Sequence, residues 1–140
     1  MLQNQVANPS LDKINSCPFI CIAYIQNLPV GIGAIKDIYK APFDYANVPQ
    51  LKDDYSYELG YVYVLDKKRY RGKGIARSIC EQLLEKVKGK NIFATTEEND
   101  ENRMRFILSK FNFKLVGDTY TGIKSKKTIG LHLLESALSK

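Results

Sequence analysis

The segment from Arg69 to Gly74 combines basic side chains with two glycines, directly before a helical pattern. It reads Arg-Tyr-Arg-Gly-Lys-Gly, and apolar residues then recur at intervals of three and four residues. The first turn of a helix presents N–H groups that have no intrahelical acceptor, together with a partial positive charge. Glycine lets the backbone approach an anion without obstruction by a Cβ atom. The pattern therefore predicts a phosphate-binding turn, with a solvated basic turn as the alternative.

The predicted contacts with a phosphate are of two kinds. Main-chain N–H groups around Gly72 and Gly74 would hold a diphosphate, and Arg69, Arg71 and Lys73 would add positive charge around it. The turn is not a P-loop, because no Gly-Lys-Ser/Thr ends it, and it does not match G-x-G-x-x-G. By itself the pattern Arg-x-x-Gly-x-Gly is short, so its meaning depends on the elements around it.

Strand-like and helix-like patterns alternate around this turn. Strands are predicted at 19–25, 30–39, 57–65, 91–95, 113–120 and 128–134, and helices at 74–88 and from the acidic run 97–101 to Lys110. Asn27-Leu28-Pro29 is expected to separate the first two strands, residues 40–56 to form a long loop, and residues 66–73 to form another loop. Asn112 is expected to end the second helix in a left-handed conformation. The order β-β-β-α-β-α-β-β predicts an α/β (α+β) fold with a mixed sheet, in a single domain of residues 1–140.

Composition limits the classes of function. A chain of 140 residues with a net charge of +6 suits one globular domain with an anionic partner. Neither a membrane span nor an export signal is apparent, so we expect a cytoplasmic protein. Cys17, Cys21 and Cys80 with the single histidine, His132, do not form a zinc-ligand pattern, so we expect free thiols and no metal, with Cys80 in the core.

Two stretches carry a resemblance to a known family. ELGYVYVLDKKRYRGKGIARSICEQLL (58–84) and ENRMRFILSKFNFKLVG (101–117) resemble the GNAT N-acetyltransferase superfamily, and the resemblance covers about residues 19–134. It implies a mixed, mostly antiparallel sheet flanked by helices and acetyl-coenzyme A (acetyl-CoA) as co-substrate. The diphosphate would lie on the amides of residues 71–76, and the pantetheine arm would pair with the strand near Val64. The implied cofactor contacts are Val62, Tyr63, Val64, Arg69, Tyr70, Arg71, Gly72, Lys73, Gly74, Ile75, Ala76 and Asn102.

Glu58 is the predicted catalytic residue. It lies on the central strand, fourteen residues before Gly72, where the histone-modifying branch of the family has a glutamate base. Simple alternation would place Glu58, Gly60, Val62 and Val64 on one face, with Gly60 marking a bulge or a close approach. A carboxylate can take the proton that an amine must lose before it attacks a thioester, although a solvated or salt-bridged glutamate is the alternative. We expect direct attack by a primary amine, because no cysteine falls near the turn on an exposed face.

Two positions of the family pattern leave alternatives open. Leu108 occupies the position of the usual tyrosine that protonates the departing thiolate, so the general acid is absent or comes from Tyr120 or Tyr70. The usual asparagine at the start of this helix is Asn102 or, alternatively, Asn99. Leu108 also motivates a second hypothesis, a non-catalytic module that binds or senses acyl-CoA.

About 18 residues precede the first predicted hairpin, fewer than the family that the sequence resembles usually has there. We therefore expect the wall of the acceptor site to be reduced, rebuilt from residues 40–56, or supplied by the second subunit of a homodimer. The acidic residues in and beside that loop could attract a cationic amine, or form a solvated acidic loop; they are Asp44, Asp53, Asp54 and Glu58. The acceptor, a small molecule or a protein amine, is not named by the sequence. A nucleic-acid partner is not expected, because aromatic and basic residues alternate only at Arg69-Tyr70-Arg71.

Overall fold

The computed structural model describes residues 16–36, 40–65, 67–70 and 72–136. The strands are β1 (Phe19–Ile25), β2 (Leu28–Lys36), β3 (Tyr57–Val64), β4 (Ile92–Glu97), β5 (Lys114–Thr121) and β6 (Thr128–Leu134). The helices are α1 (Ala41–Tyr45), α2 (Lys67–Tyr70), α3 (Ile75–Lys86) and α4 (Arg103–Lys110), with a 3₁₀ helix at Pro49–Asp54. The sheet order is β1-β2-β3-β4-β6-β5, in which β3 and β4 are parallel and most other neighbours antiparallel. The predicted mixed, mostly antiparallel α/β fold is confirmed.

The chain divides into two compact units whose boundary falls inside β3, between Glu58 and Leu59. The first unit holds β1, β2, residues 59–64 of β3, α2 and α3. The second holds α1, the 3₁₀ helix, residues 57 and 58 of β3, β4, α4, β5 and β6. In the described residues, no helix is both long and apolar enough to cross a bilayer.

The β1–β2 hairpin turns at Gln26 and Asn27, whose φ angles of 50° and 68° are both left-handed. Two consecutive left-handed residues match the twist of a two-residue hairpin. The predicted break at Asn27-Leu28-Pro29 is therefore wrong for Leu28 and Pro29, which begin β2. Pro29 pairs with Tyr24 where the register shifts, a place that tolerates the missing N–H group. Residues 37–39 of the predicted second strand lie outside the described residues.

Helix α3 packs closely on β2 because two glycines of that strand present no side chain to it. A Cβ atom on Gly33 would lie 2.5 Å from Cγ2 of Ile79, and one on Gly31 would lie 2.9 Å from Cδ1 of Ile79. Leu83 extends the same contact and Cys80 is fully buried, so the predicted core position of Cys80 is confirmed. Gly89 follows α3 with φ of 87°, as expected of a residue that ends a helix.

The core of the second unit is an aromatic cluster. The rings of Phe43 and Phe93 meet edge to face with centroids 4.9 Å apart, and Tyr55, Leu131 and Leu133 complete the buried set. Phe43 belongs to α1, so the predicted 40–56 loop is wrong: this segment forms α1 and the 3₁₀ helix. The reason is that burial of an aromatic ring against β4 stabilises a helix too short to form alone.

The register of β5 shifts between Val116 and Tyr120, and the end of α1 contacts the strand there. Gly117 there has φ of 72°, and a Cβ atom on it would lie 2.3 Å from the carbonyl oxygen of Ala46. The N–H of Asp118 donates to that carbonyl at 2.9 Å, and Nδ2 of Asn47 donates to Oδ2 of Asp118 at 2.7 Å. The 40–56 segment is thus fixed to β5 by main-chain contact.

The boundaries of α4 differ from the prediction at one end. The acidic run 97–101 was predicted to begin the helix, but Glu97 ends β4 and the helix begins at Arg103, because Asn102 supplies the N-cap. Asn112 has φ of 71°, so its predicted left-handed conformation is confirmed.

Candidate functional site

The turn before α3 exposes its glycines. Gly72 and Gly74 have φ of 80° and 69°, and a Cβ atom on either would meet nothing within 4 Å. Their left-handed conformation, rather than lack of space, therefore explains the glycines. Gly74 is the N-cap of α3, and no side chain caps this helix end. The first α3 hydrogen bond runs from Ser78 N–H to the Gly74 carbonyl, so the N–H groups of Ile75 and Ala76 lack helical acceptors.

Two basic residues that precede this helix end in the sequence are exposed. Arg69 and Lys73 are exposed, and the Arg69 guanidinium lies 5.6 Å from the ring centroid of Tyr70. The predicted loop at 66–73 is partly wrong, because residues 67–70 form the single helical turn α2. The N–H of Lys73 donates to the Tyr70 carbonyl at 3.4 Å, which ties the turn to α2. Arg71, a predicted contact, lies outside the described residues.

Strand β3 contains a bulge at Tyr61, where φ is 56°. A Cβ atom on Gly60 would lie 2.6 Å from Cδ of Lys36, and Nζ of Lys36 lies 4.4 Å from the Tyr61 ring centroid, so consecutive residues meet the same side chain. Val62 instead lies near Gly33, on the face that α3 covers. The predicted alternation is therefore wrong: the bulge moves Val62 and Val64 to the opposite face from Gly60.

The β3–β4 ladder is short. Its parallel register consists of Tyr57 with Ile92 and Glu58 with Phe93, so residues 59–64 lie outside it. Val62, Tyr63 and Val64, the predicted pantetheine contacts, are half-buried. A strand whose ladder ends early offers main-chain groups to an added extended ligand.

Glu58 is buried, with 4% of its surface exposed. Its parallel partner in β4 is Phe93, so both residues lie on the face that carries the aromatic cluster. The fully solvated alternative for Glu58 is excluded.

The side chain of Asn102 is committed to the protein. Its Oδ1 accepts from Met104 N–H at 3.1 Å, and its Nδ2 donates at 2.7 Å to both Thr96 Oγ1 and the Glu97 carbonyl. Both amide hydrogens are thereby used, so a cofactor contact of Asn102 would have to use Oδ1 or the main chain. Asn99, the other candidate, donates to Glu97 Oε2 at 3.3 Å.

The predicted candidates for a general acid are spread across the two units. Leu108 is fully buried and offers no proton. Tyr120 lies in β5, its ring centroid 5.3 Å from that of Tyr45, and Tyr70 is half-buried in α2. In the described residues, no group of three or more His, Cys, Asp or Glu side chains could hold a metal ion.

Sequence reasoning did not select Lys36 or Tyr61. Lys36 ends β2, and its contact with β3 depends on the pairing of two strands that are far apart in the sequence. The available signal was Gly60: a glycine inside a strand predicts a bulge or a close approach, and the structure has both, the bulge at Tyr61 and the approach at Gly60.

Comparisons with solved structures show the same fold. Naa50 from Arabidopsis thaliana, in complex with the bisubstrate analogue CoA-Ac-MVNAL, matches with a TM-score of 0.64 and 18% identity over 91% of this chain and 82% of its own. An N-acetyltransferase from Staphylococcus aureus Mu50 matches with a TM-score of 0.60 and 23% identity, over 83% of this chain and 66% of its own. An acetyltransferase from Bacillus anthracis str. Ames, in complex with acetyl coenzyme A, matches with a TM-score of 0.59 and 17% identity, over 96% of this chain and 68% of its own.

Sequence comparison assigns the family. No curated protein matches the chain significantly. A sequence model of the acetyltransferase (GNAT) family matches residues 4–113, well over half of the 140 residues. That match includes β3, the turn with two left-handed glycines, and α3. The chain therefore belongs to the acetyltransferase (GNAT) family.

Proposed function

We propose that the chain transfers an acetyl group from acetyl-CoA to a primary amine, which attacks the thioester directly. The observation that carries the proposal is the helix end at Gly74. Two left-handed glycines and an uncapped first turn present main-chain donors to solvent, with Arg69 and Lys73 exposed nearby. In the described residues, nothing lies within 4 Å of a Cβ atom built on either glycine, which leaves the backbone there open to an anion.

In the first unit, acetyl-CoA would be held by the turn before α3 and by β3. The amides at 72–76 would bind the diphosphate, with Arg69, Tyr70 and Lys73 at its rim and Arg71 included as predicted. Main-chain groups of residues 62–64 would pair with the pantetheine amides, because the β3–β4 ladder ends at Glu58. When bound, acetyl-CoA supplies an activated acetyl group. A main-chain N–H near Val64 would donate to the thioester oxygen as charge develops on it.

Glu58 would take the proton from the attacking amine. An alkyl amine with a pKa near ~10.4 is mostly protonated at neutral pH, so the reaction needs a base, directly or through water. Glu58 is buried, with 4% of its surface exposed. The thiol that leaves has an ordinary pKa of about 8.5, so a general acid is helpful rather than essential. Leu108 is compatible with such a reaction.

Direct attack is preferred to an acyl-cysteine route. Cys80 is fully buried, and its burial, with a smaller effect of Cys21, raises the pKa of its thiol to about 12. Burial also raises the pKa of Cys21. Neither thiol would supply a thiolate nucleophile near neutral pH.

The test uses two measurements on the intact chain. Calorimetric titration with acetyl-CoA should show saturable binding, and thiol release measured with a chromogenic disulfide should depend on an added primary amine. The buried Leu108 favours one alternative, an acyl-CoA sensor without turnover. Binding without amine-dependent thiol release across a broad amine panel would support the sensor, whereas absence of binding at millimolar acetyl-CoA would refute both ideas.

A further inference from the structure

We propose that strand β1 is a dimerisation edge, which pairs antiparallel with β1 of a second copy of the chain and extends the sheet across the interface. The inference goes beyond the proposed acetyl transfer and does not depend on it. In the sheet order β1 stands at one end, and within the described residues only β2 pairs with it. One side of its main chain therefore presents N–H and C=O groups to a further strand.

Strand β1 carries none of the features that keep a sheet edge from pairing. Its sequence, FICIAYI, contains no charged residue, proline or glycine. The register shift of the hairpin places its extra residue, Val30, in β2, so β1 itself stays regular. Proteins that avoid edge-to-edge association place charges, prolines or bulges on the edge strand. Large apolar side chains along β1 are instead exposed, and they are Phe19, Ile20, Ile22 and Tyr24.

The other edge strand, β5, has the protection that β1 lacks. Lys114 and Asp118 are exposed charged residues on it, and its register shift includes the left-handed Gly117. The N–H of Asp118 already donates to the Ala46 carbonyl at 2.9 Å. The difference between the two edges indicates a partner strand for β1 rather than a sheet that is unprotected throughout.

Charge favours a second copy of the chain as that partner. No charged residue lies between Lys13 and Lys36, although the chain has 26% charged residues and a net charge of +6. Two copies with the same net charge repel each other, and an uncharged edge is where they can approach most closely. A charged peptide would find no complementary charge on this edge. A two-fold axis perpendicular to the sheet makes β1 antiparallel to its own copy, so that outward donors meet outward acceptors.

Helix α3 leaves room for the second copy. It packs on both β1 and β2, and beside the edge an open groove of about 300 Å³ lies between residues 19–22 and Gln82, Leu83 and Lys86 of α3. In a continuous sheet the two α3 axes would be two to three strand spacings apart, or about 10–14 Å. Packed helices are about 8–10 Å apart, so the helix backbones would not clash and the facing side chains would fill the groove.

The antiparallel arrangement also keeps the two Lys86 ammonium groups apart. Leu83 lies 3.1 Å from a Cβ atom built on Gly33, whose partner in β1 is Cys21. The last turn of α3 therefore lies beside the first half of β1, and the two copies of Lys86 would come to opposite ends of the shared edge. Their repulsion does not oppose the pairing at its centre.

The test measures self-association of the intact chain. Sedimentation equilibrium up to about 0.5 mM should show a monomer–dimer equilibrium. The dimer should not weaken between about 50 mM and about 500 mM NaCl, because salt screens the repulsion between the two net charges and leaves an uncharged interface intact. Amide hydrogen exchange in residues 19–25 should slow as protein concentration rises, while residues 114–121 keep their rates.

Ile22→Lys, in the middle of β1 at a residue that is 46% exposed, should raise the dissociation constant at least about tenfold, because it brings two like charges together across the edge. Tyr24→Lys, at a residue that is 60% exposed, should do the same if Ile22→Lys lowers stability. Ile123→Lys is the control, since it adds the same charge at an apolar residue 69% exposed outside β1, and it should dimerise like the unmodified protein.

A monomer at the highest concentration would overturn the inference, and so would a dimer that both edge variants leave intact. Concentration-dependent protection of β5 without protection of β1 would place the interface elsewhere and overturn it as well. Acetyl-CoA binding, followed separately by calorimetry, should be the same in the three variants and the unmodified protein. Its absence would count against the proposed function and leave the dimer unaffected.

Discussion

Oε2 of Glu98 lies 2.9 Å from Nε2 of His132, and both side chains are only 8% exposed. The other carboxylate oxygen lies 3.5 Å from Nε of Arg105 in α4. Glu98 reaches His132 because Gly130 has no side chain: a Cβ atom there would lie 2.7 Å from the Glu98 carboxyl carbon. One carboxylate therefore links the end of β4 to both β6 and the first turn of α4.

Replacement of Glu98 by alanine should lower the free energy of unfolding by about 3 kcal/mol, because a buried pair loses one partner and leaves His132 and Arg105 without it. The measurement is urea unfolding followed by circular dichroism. Asp100→Asn is the matched control, since Asp100 also pairs with Arg105, at 3.4 Å, but is fully exposed. Equal shifts of the urea unfolding midpoints in the two variants would show that the buried carboxylate stabilises the fold no more than the exposed one.

Replacement of Gly74 by alanine should weaken acetyl-CoA binding by about tenfold or more. The left-handed φ of 69° costs an alanine about 1–2 kcal/mol, and relief of that strain would turn the main-chain donors away from the diphosphate. Gly89→Ala carries the same penalty at φ of 87° beyond the far end of α3, and should lower stability without changing affinity. Calorimetry with acetyl-CoA distinguishes the two. Unchanged affinity in Gly74→Ala would contradict the assignment of the turn.

The turn and its helix could be predicted because their signals are local. Gly72, Gly74 and the apolar spacing after them fall within one short stretch of sequence. The helix α1 could not be predicted, since it depends on burial of Phe43 against Phe93, fifty residues away, and on Gly117 in β5. A five-residue helix has too few hydrogen bonds to be stable without those contacts, so its sequence alone does not indicate it.

The face assignments in β3 show the same limit. Period-two alternation holds for a regular strand, but a single left-handed residue at Tyr61 moves every later side chain to the other face. Gly60 indicated that a bulge was near without fixing which residue would carry it. The contact of Lys36 with Tyr61 could not be predicted from the sequence, because it requires β2 to lie beside β3.

Replacement of Glu58 by glutamine should lower kcat for the best acceptor by about 100-fold, because the amide cannot accept the proton. Glutamine has nearly the same shape, so acetyl-CoA affinity should not change. Glu85→Gln is a suitable control, since it makes the same chemical change at an exposed glutamate near the far end of α3. A Glu58→Gln variant with full activity at neutral pH would eliminate Glu58 as the base.

Replacement of Gly117 by alanine should lower the free energy of unfolding by about 2 kcal/mol or more. The new Cβ atom would be placed 2.3 Å from the Ala46 carbonyl oxygen, in addition to the cost of its left-handed φ of 72°. Gly74→Ala measures the φ cost alone, because Gly74 has a similar φ of 69° and a Cβ atom there would meet nothing within 4 Å. The difference between the two variants in urea unfolding should therefore be positive, and hydrogen exchange of Asp118 N–H should accelerate. No difference between the variants would mean that the end of α1 moves away from the new Cβ atom at no cost in stability.

Cys80 gives the chain a predicted loss of stability at alkaline pH. Burial raises the pKa of its thiol from 9.0 to about 12, so between these values the unfolded chain releases a proton that the folded chain keeps. Unfolding then becomes more favourable as pH rises, by about 1.4 kcal/mol per pH unit, and the loss is absent below pH 9. Between pH 8 and pH 10.5 the unfolding free energy should fall by about 2 kcal/mol more than in Cys80→Ala. Cys17→Ala should keep the full pH dependence, and an unaltered slope in Cys80→Ala would disprove the assignment to Cys80.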